Sequence, residues 1–286
     1  MTQASTLGGT FLLGDREVHR MGFGAMRLAG PKIYGPPSEP VEAANVLRAA
    51  IEAGIDHIDT SDFYGPHTVN NLIRETLHPY RDSLVLVTKL GGRRTPDTAW
   101  HPAQSPAELR SGLEDNLRNL GLDFMEVVNL RLWSGHGPPV NTPLEVQFET
   151  MLELQREGKL RHIGLSNVHP LQLEAALKMG PIVCVQNNYG VLNRGDEALL
   201  ETSIQHGIAF VPFFPLGGFQ PFKAAKLDAI AAELNATPMQ VALAWLLHRS
   251  PNMLLIPGTS KVAHLKENIA AATLQLSEEQ LQKLDD

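Results

Sequence analysis

Short apolar runs alternate with longer amphipathic stretches along the whole chain, and this rhythm constrains the fold more than any other feature of the sequence. The runs at 20–23, 57–59, 84–89, 125–130, 162–166, 183–187, 209–214 and 254–257 read as strands. The stretches at 40–53, 68–77, 105–120, 143–157, 170–179, 197–206, 222–234, 238–248 and 261–271 read as helices. Such alternation builds a parallel sheet with helices outside, because consecutive parallel strands need a crossover. Eight strands with intervening helices predict a closed α/β barrel of the (β/α)8 TIM type, which occupies about 250 residues as one domain. The 286 residues are therefore expected to form a single barrel domain over 1–286. An open doubly wound sheet is the competing architecture, but the glycine fingerprint that usually follows its first strand is missing.

Local signals punctuate this pattern. Ser105-Pro106-Ala107-Glu108 is a capping box with proline at the first helical position. Leu109, Leu113, Leu117 and Leu120 follow at helical spacing, and Gly121 supplies the stop. Thr142-Pro143-Leu144-Glu145 and Thr237-Pro238-Met239-Gln240 repeat the device, and Ser277 with Gln280 opens a last amphipathic turn stapled by Leu276 and Leu281. Residues 10–18, with Gly14-Asp15 in the middle, predict a β-hairpin placed to plug the bottom of the barrel. Three long loops follow strands, at 25–39, 90–104 and 132–141, and their Tyr34, Trp100 and Trp133 suit the rim of a pocket. Met239 and the aromatic positions up to Trp245 recur at helical spacing and read as core.

Composition excludes several classes. A net charge of −7 argues against general nucleic-acid binding, which needs a basic surface. The single cysteine, Cys184, cannot build an internal disulfide framework. No apolar run reaches the roughly 18–20 residues of a membrane span, and residues 1–10 lack a signal-peptide pattern. A cytoplasmic protein with no membrane partner is expected. The eleven histidines show no metal-ligand spacing.

The chemistry concentrates around Gly54-Ile55-Asp56-His57-Ile58-Asp59-Thr60-Ser61-Asp62-Phe63-Tyr64-Gly65. Asp59 ends one apolar strand and Lys89 ends the next, where either charge is costly unless paired. Adjacent barrel strands bring these ends side by side, with Tyr64 in the loop between. A free phenol ionises near pH 10. A neighbouring ammonium favours phenolate, so Lys89 is expected to lower the Tyr64 pKa and make it a better acid, with Asp59 keeping Lys89 charged and fixed. The competing reading is a structural Asp–Lys pair beside a packed tyrosine.

This stretch resembles the aldo-keto reductases, whose signature Gly-x-x-x-x-Asp-Thr-Ala-x-x-Tyr-Gly is met except for Ser61 in place of alanine. The resemblance runs from Met21-Gly22-Phe23-Gly24 to Glu267-Asn268. It implies a barrel that binds NADPH without a Rossmann domain and passes hydride directly to a carbonyl carbon. It also implies catalytic roles for Asp59, Tyr64 and Lys89. The fourth catalytic position departs: in Leu122-Asp123-Phe124-Met125-Glu126-Val127-Val128-Asn129-Leu130-Arg131, arginine stands where the family has histidine. Guanidinium keeps its charge and presents a planar fork of donors. Arg131 can polarise the carbonyl, hold an anionic group beside the aldehyde, or pair with a local carboxylate.

The same resemblance assigns cofactor contacts. Ser166, Asn167 and Gln186 match the side chains that grip the nicotinamide carboxamide, while capping of the helix near Pro170 is the alternative role for Asn167. In Val211-Pro212-Phe213-Phe214-Pro215-Leu216-Gly217-Gly218, Phe213 takes the place of a tyrosine that stacks on the nicotinamide. Gly258, Thr259, Ser260, Lys261, His264, Glu267 and Asn268 match the adenosine-phosphate site. Well-studied members have lysine and arginine where this chain has Gly258 and His264, which leaves Lys261 to meet the 2′-phosphate. Met26 and Trp133 fall in loops expected to contact substrate. Among family members the chain is most similar to bacterial pyridoxal reductase-like proteins, which implies a small aldehyde, pyridoxal in particular, as substrate. Two other activities fit the same barrel: a slow-turnover NADPH-binding redox sensor similar to potassium-channel β subunits, and a Schiff-base aldolase using Lys89.

Overall fold

The structure, a computed structural model, describes residues 7–133, 144–215 and 225–285. The chain opens with an antiparallel hairpin, β1 (Thr10–Leu13) and β2 (Arg16–His19), turning at Gly14-Asp15. Parallel strands follow: β3 (Phe23–Gly24), β4 (His57–Asp59), β5 (Val85–Arg94), β7 (Met125–Arg131), β8 (Leu160–Ser166), β9 (Cys184–Gln186) and β10 (Ala209–Phe210). They pair in the order 10-9-8-7-5-4-3, and residues 253–255 close the ring. Leu254 N donates to Phe210 O at 2.9 Å, Leu255 N to Arg20 O at 2.7 Å and Gly22 N to Leu255 O at 2.8 Å. The eighth predicted strand is thus reduced to isolated bridges, because Pro257 has no N–H to extend the ladder. The seventh shortens to Ala209–Phe210 as Pro212 interrupts it.

Helices α1 (Pro40–Glu52), α2 (Thr68–Leu77), α3 (Pro106–Leu120), α4 (Glu145–Arg156), α5 (Pro170–Met179), α6 (Glu197–Gln205), α7 (Ala225–Glu233), α8 (Pro238–Arg249) and α9 (Val262–Ala270) surround the ring, with α10 (Glu278–Asp285) after them. The capping boxes form at Ser105 and Thr237; Gln240 N donates to Thr237 Oγ1 at 3.2 Å and Thr237 N to Gln240 Oε1 at 2.8 Å. Gly121 ends α3 at φ +68°, the left-handed conformation glycine adopts without strain. Asn167 does not cap α5, whose N-cap is His169. The Thr142-Pro143 start and the first residues of the predicted helix at 222–234 lie outside the described residues.

One feature of the predicted loop at 90–104 is a hairpin. β5 runs on past Lys89 to Arg94 and returns as antiparallel β6 (Trp100–Ala103). The turn away from the barrel occurs at Gly91, at φ +109°, where a Cβ would lie 2.2 Å from Arg131 O. Only glycine fits there.

The two faces of the strands explain the core. Leu86, Val128, Leu130, Ile163, Leu165 and Phe210 point out and pack with Leu109, Leu113, Phe148, Met151 and Leu154 of the helices. Val85, Val87, Val127, Cys184, Ala209, Val211 and Leu254 point in, and Leu13 and Val18 of the hairpin join them. The β1–β2 hairpin therefore fills the bottom of the barrel. Full burial of each such Val, Leu, Ile, Phe or Met side chain is worth about 1.5–3 kcal/mol over leaving it in water.

Candidate active site

Strand alternation carries the inward face from apolar to chemical as the chain climbs. Val85 and Val87 are followed on the same face by Lys89, Val127 by Asn129 and Arg131, Cys184 by Gln186, and His57 by Asp59. The register sets Asp59 opposite Val87, Lys89 opposite Asn129, Arg131 opposite Ser166 and Ser166 opposite Gln186. These polar ends form one ring at the barrel mouth.

Asp59 and Lys89 are each 4% exposed, so both charges rely on protein partners. Lys89 Nζ donates to Asp59 Oδ1 at 2.6 Å and to Thr60 O at 2.9 Å. The other carboxylate oxygen of Asp59 accepts from Gln186 Nε2 at 2.8 Å. Tyr64 leans over this pair, with Lys89 Nζ 5.0 Å from its ring centroid. Behind its loop, the buried Asp62 carboxylate accepts from Asn119 Nδ2 at 2.8 Å and Asn70 Nδ2 at 3.1 Å and lies 2.5 Å from His67 Nδ1. That bond raises the His67 pKa, and the arrangement ties the loop to α2 and α3.

The net electrostatics differ from the sequence expectation for Tyr64. Burial pushes its phenol pKa up, and the opposing pull of Lys89 and Arg131 does not fully compensate, with Asp59 adding to the rise. The net direction is upward, so the phenol is firmly protonated at neutral pH. Burial works against the charge on Lys89, but Asp59 and Tyr64 outweigh it and the lysine pKa also rises. Lys89 is thus held as an ammonium. Arg131 feels burial most, which lowers its pKa from the ordinary arginine value, with Tyr64 and Asp59 opposing.

Arg131 Nη1 donates to Ser166 Oγ at 2.9 Å, and its guanidinium lies between two rings, 5.5 Å from Trp133 and 5.4 Å from Phe213. No carboxylate pairs with it among the described residues. A wall of aromatics continues from Tyr64: Phe63 meets Tyr64 edge-on at 5.4 Å and Trp100 at 5.6 Å, and Trp100 stacks on Trp133 at 5.8 Å.

These groups border a cavity of about 1020 Å³. Its near end holds Met26, Ile33, Asp59, Phe63, Tyr64, Lys89, Trp100, Arg131, Trp133 and Gln186. It continues past Phe213, Phe214 and Pro215 to a far arm with Thr237, Met239, Gly258, Thr259, His264, Glu267 and Asn268. Ser166 and Asn167 are buried beside the mouth rather than on the cavity wall; Asn167 Nδ2 donates to Leu132 O at 2.8 Å. Ser260 and Lys261 also stand off the wall, and Lys261 Nζ donates to Glu39 Oε1 at 2.6 Å. Leu216 and Gly218 lie outside the described residues. Sequence reasoning missed Phe63, Ile33 and Arg27 on the wall; Met239 packs against the core, as expected, and also borders the far arm. Trp245, in contrast, is buried in the core at 1% exposure. Phe63 sits inside the Asp59–Gly65 motif, a signal that could have found it.

Comparison with known proteins places this geometry. The family model described as "Aldo/keto reductase family" matches residues 20–286. Pyridoxine 4-dehydrogenase of Escherichia coli (strain K12) is 56% identical over 278 residues, covering 96% of this chain and 97% of that protein. A thermostable aldo-keto reductase solved with the inhibitor epalrestat superposes with a TM-score of 0.80 at 32% identity, covering 96% of this chain and 98% of that one. An aldo/keto reductase from Klebsiella pneumoniae, solved with NADP and acetate, gives 0.79 at 27% identity, covering 96% and 94%. The chain belongs to the aldo/keto reductase family, and its closed (β/α)8 barrel with an N-terminal hairpin is the fold of an oxidoreductase of that family.

Proposed function

We propose that this protein is an NADPH-dependent reductase of a small, flat aldehyde, with Tyr64 as proton donor and pyridoxal as the substrate that best fits the mouth. The observation that carries the reading is the Lys89 ammonium buried against Asp59 and 5.0 Å from the Tyr64 ring.

A nicotinamide dinucleotide fits the cavity. At about 1020 Å³ it is at the upper end for a small-molecule pocket, and it extends well beyond the mouth. Phe213 offers a flat apolar surface and Gln186 a fixed amide near Asp59, while Gly258, Thr259, His264, Glu267 and Asn268 would hold the adenosine end. Lys261 would have to exchange Glu39 for the 2′-phosphate to reach it. When bound, NADPH supplies the hydride that reduces the carbonyl carbon.

The protein's own residues handle the oxygen. A protonated Tyr64 gives its proton to the oxygen as negative charge develops there. Lys89 stabilises the phenolate left behind, and Asp59 fixes the ammonium in place. Charged Lys89 is a poor Schiff-base nucleophile, which disfavours the aldolase reading. Arg131, anchored by Ser166 and without a carboxylate among the described residues, orients the substrate by accepting an anionic oxygen next to the aldehyde. Pyridoxal has such an oxygen on a flat ring that suits the Phe63–Trp100–Trp133 wall. The similarity to pyridoxine 4-dehydrogenase supports the same pair of compounds.

The test compares steady-state reduction of pyridoxal and benzaldehyde with NADPH. We expect kcat/KM for pyridoxal to be higher by about tenfold or more, and Arg131→Gln to remove most of that difference. Equal values in the native protein would contradict the substrate assignment, and tight NADPH binding without repeated turnover would favour a redox sensor.

A further inference from the structure

We infer that Arg94 is a positioning residue of this mouth: it latches the loop after the first barrel strand to the β5–β6 hairpin and so fixes the slot that admits the aldehyde. Arg94 is 8% exposed, yet it does not line the cavity and pairs with no carboxylate among the described residues. Both terminal nitrogens of its fork are spent on backbone. Nη1 donates to Ile33 O at 2.8 Å, and Nη2 donates to Lys32 O at 2.9 Å and to Thr98 O at 2.8 Å. Its flat face lies 4.1 Å from the Trp100 ring centroid and 5.6 Å from that of Tyr34. Ile33 and Trp100 both line the cavity, on different loops, and Arg94 holds one by its carbonyl and the other by its ring.

The segment it holds is strained. Lys32 and Ile33 both sit at φ +58°, a region that a β-branched side chain rarely enters. Such conformations persist only where the surroundings impose them, and two of the three carbonyls that Arg94 grips belong to these residues, the third being that of Thr98 at φ +67°. The latch also reaches the catalytic loop. Ile33 O accepts from Gly65 N at 3.3 Å, and Gly35 N donates to Gly65 O at 3.1 Å, next to Tyr64. Lysine cannot replace this geometry, because an ammonium has no planar fork and no face to stack on Trp100.

The inference rests on the aldehyde-reductase reading of the mouth. Its test is steady-state reduction of pyridine-4-carbaldehyde, which is flat, and propanal, which is small, by the native protein and by Arg94→Lys, with NADPH affinity read by nicotinamide fluorescence. In Arg94→Lys the ratio of kcat/KM for the flat to the small aldehyde should fall by about tenfold, mainly through KM, while NADPH affinity changes less than about twofold. Adding Lys32→Gly, which relieves the positive φ at an exposed position, should restore part of the ratio. An unchanged ratio in Arg94→Lys overturns the latch, whereas a native protein that reduces neither aldehyde overturns the reductase reading instead. Lys32→Gly alone keeps the idea testable if Arg94→Lys does not fold: a higher melting temperature with an unchanged ratio supports strain held by Arg94, and a lower one refutes it.

Discussion

The inward face of the barrel is one surface with two characters. At the bottom, Val85, Val87, Val127, Cys184 and Ala209 pack with Leu13 and Val18 of the hairpin in one apolar cluster. Two residues above Val87 and Cys184 stand Lys89 and Gln186, and four above Val127 stands Arg131, with Asp59 beside them. The bottom gains its stability mainly from apolar burial. The top gives up that gain to hold charges out of water, which is tolerable only because each has a named partner: Asp59 for Lys89, Gln186 for Asp59, and Ser166 with two aromatic faces for Arg131. The contrast separates what keeps the barrel closed from what we propose makes it react.

Changes at the top should therefore damage turnover, and changes at the bottom stability. The largest expected effect is Tyr64→Phe, which should lower kcat by about 10²–10⁴-fold with NADPH affinity kept, because in the proposed mechanism the hydroxyl acts only in the transition state. Turnover near native would remove Tyr64 from the chemistry. Lys89→Met crosses the divide. It should cost roughly 3–5 kcal/mol in urea unfolding, because Asp59 is left buried without its cation, and should reduce kcat as well. A stability close to native would mean the pair is dispensable to the fold. At the bottom, Leu13→Ala should cost about 2–5 kcal/mol and leave kcat unchanged. A kcat effect there would show that the two regions are not separate. The smallest effect is on pH stability. Lys89 and Tyr64 both have folded pKa values raised above their ordinary ones, so their contribution is fully present below about pH 10 and is lost as pH rises through the folded values. Urea midpoints should stay level between pH 7 and 9 from these two groups and decline beyond 10.

Local chemistry made much of this readable in advance. The boxes at Ser105 and Thr237 act within four residues, and a proline or glycine at a helix end states its own conformation. The Asp59–Gly65 motif and Lys89 were legible because a charge at the end of an apolar strand needs a partner. What was hidden depends on distant segments. The β5–β6 hairpin needs Gly91 to pass close to Arg131 O, and nothing near Gly91 in sequence announces that approach. Glu39 meets Lys261 across 222 positions of chain. Met239 packs against the core as its helical spacing suggests, and only the shape of the cavity shows that it also borders the far arm while Trp245 does not. The direction of the Tyr64 shift was missed because it is a balance, and a sequence names Lys89 more readily than it measures burial.

That balance offers the most direct test of whether a buried, protonated Tyr64 beside a charged Lys89 is the acid: the pH profile of aldehyde reduction, taken from pH 6 to 11. We expect kcat/KM to hold level through neutrality and decline only above pH 10, the ordinary tyrosine value, since burial raises the phenol pKa. A decline centred well below 10 that Tyr64→Phe abolishes would mean that the lysine, and not burial, sets this phenol, and would contradict the account.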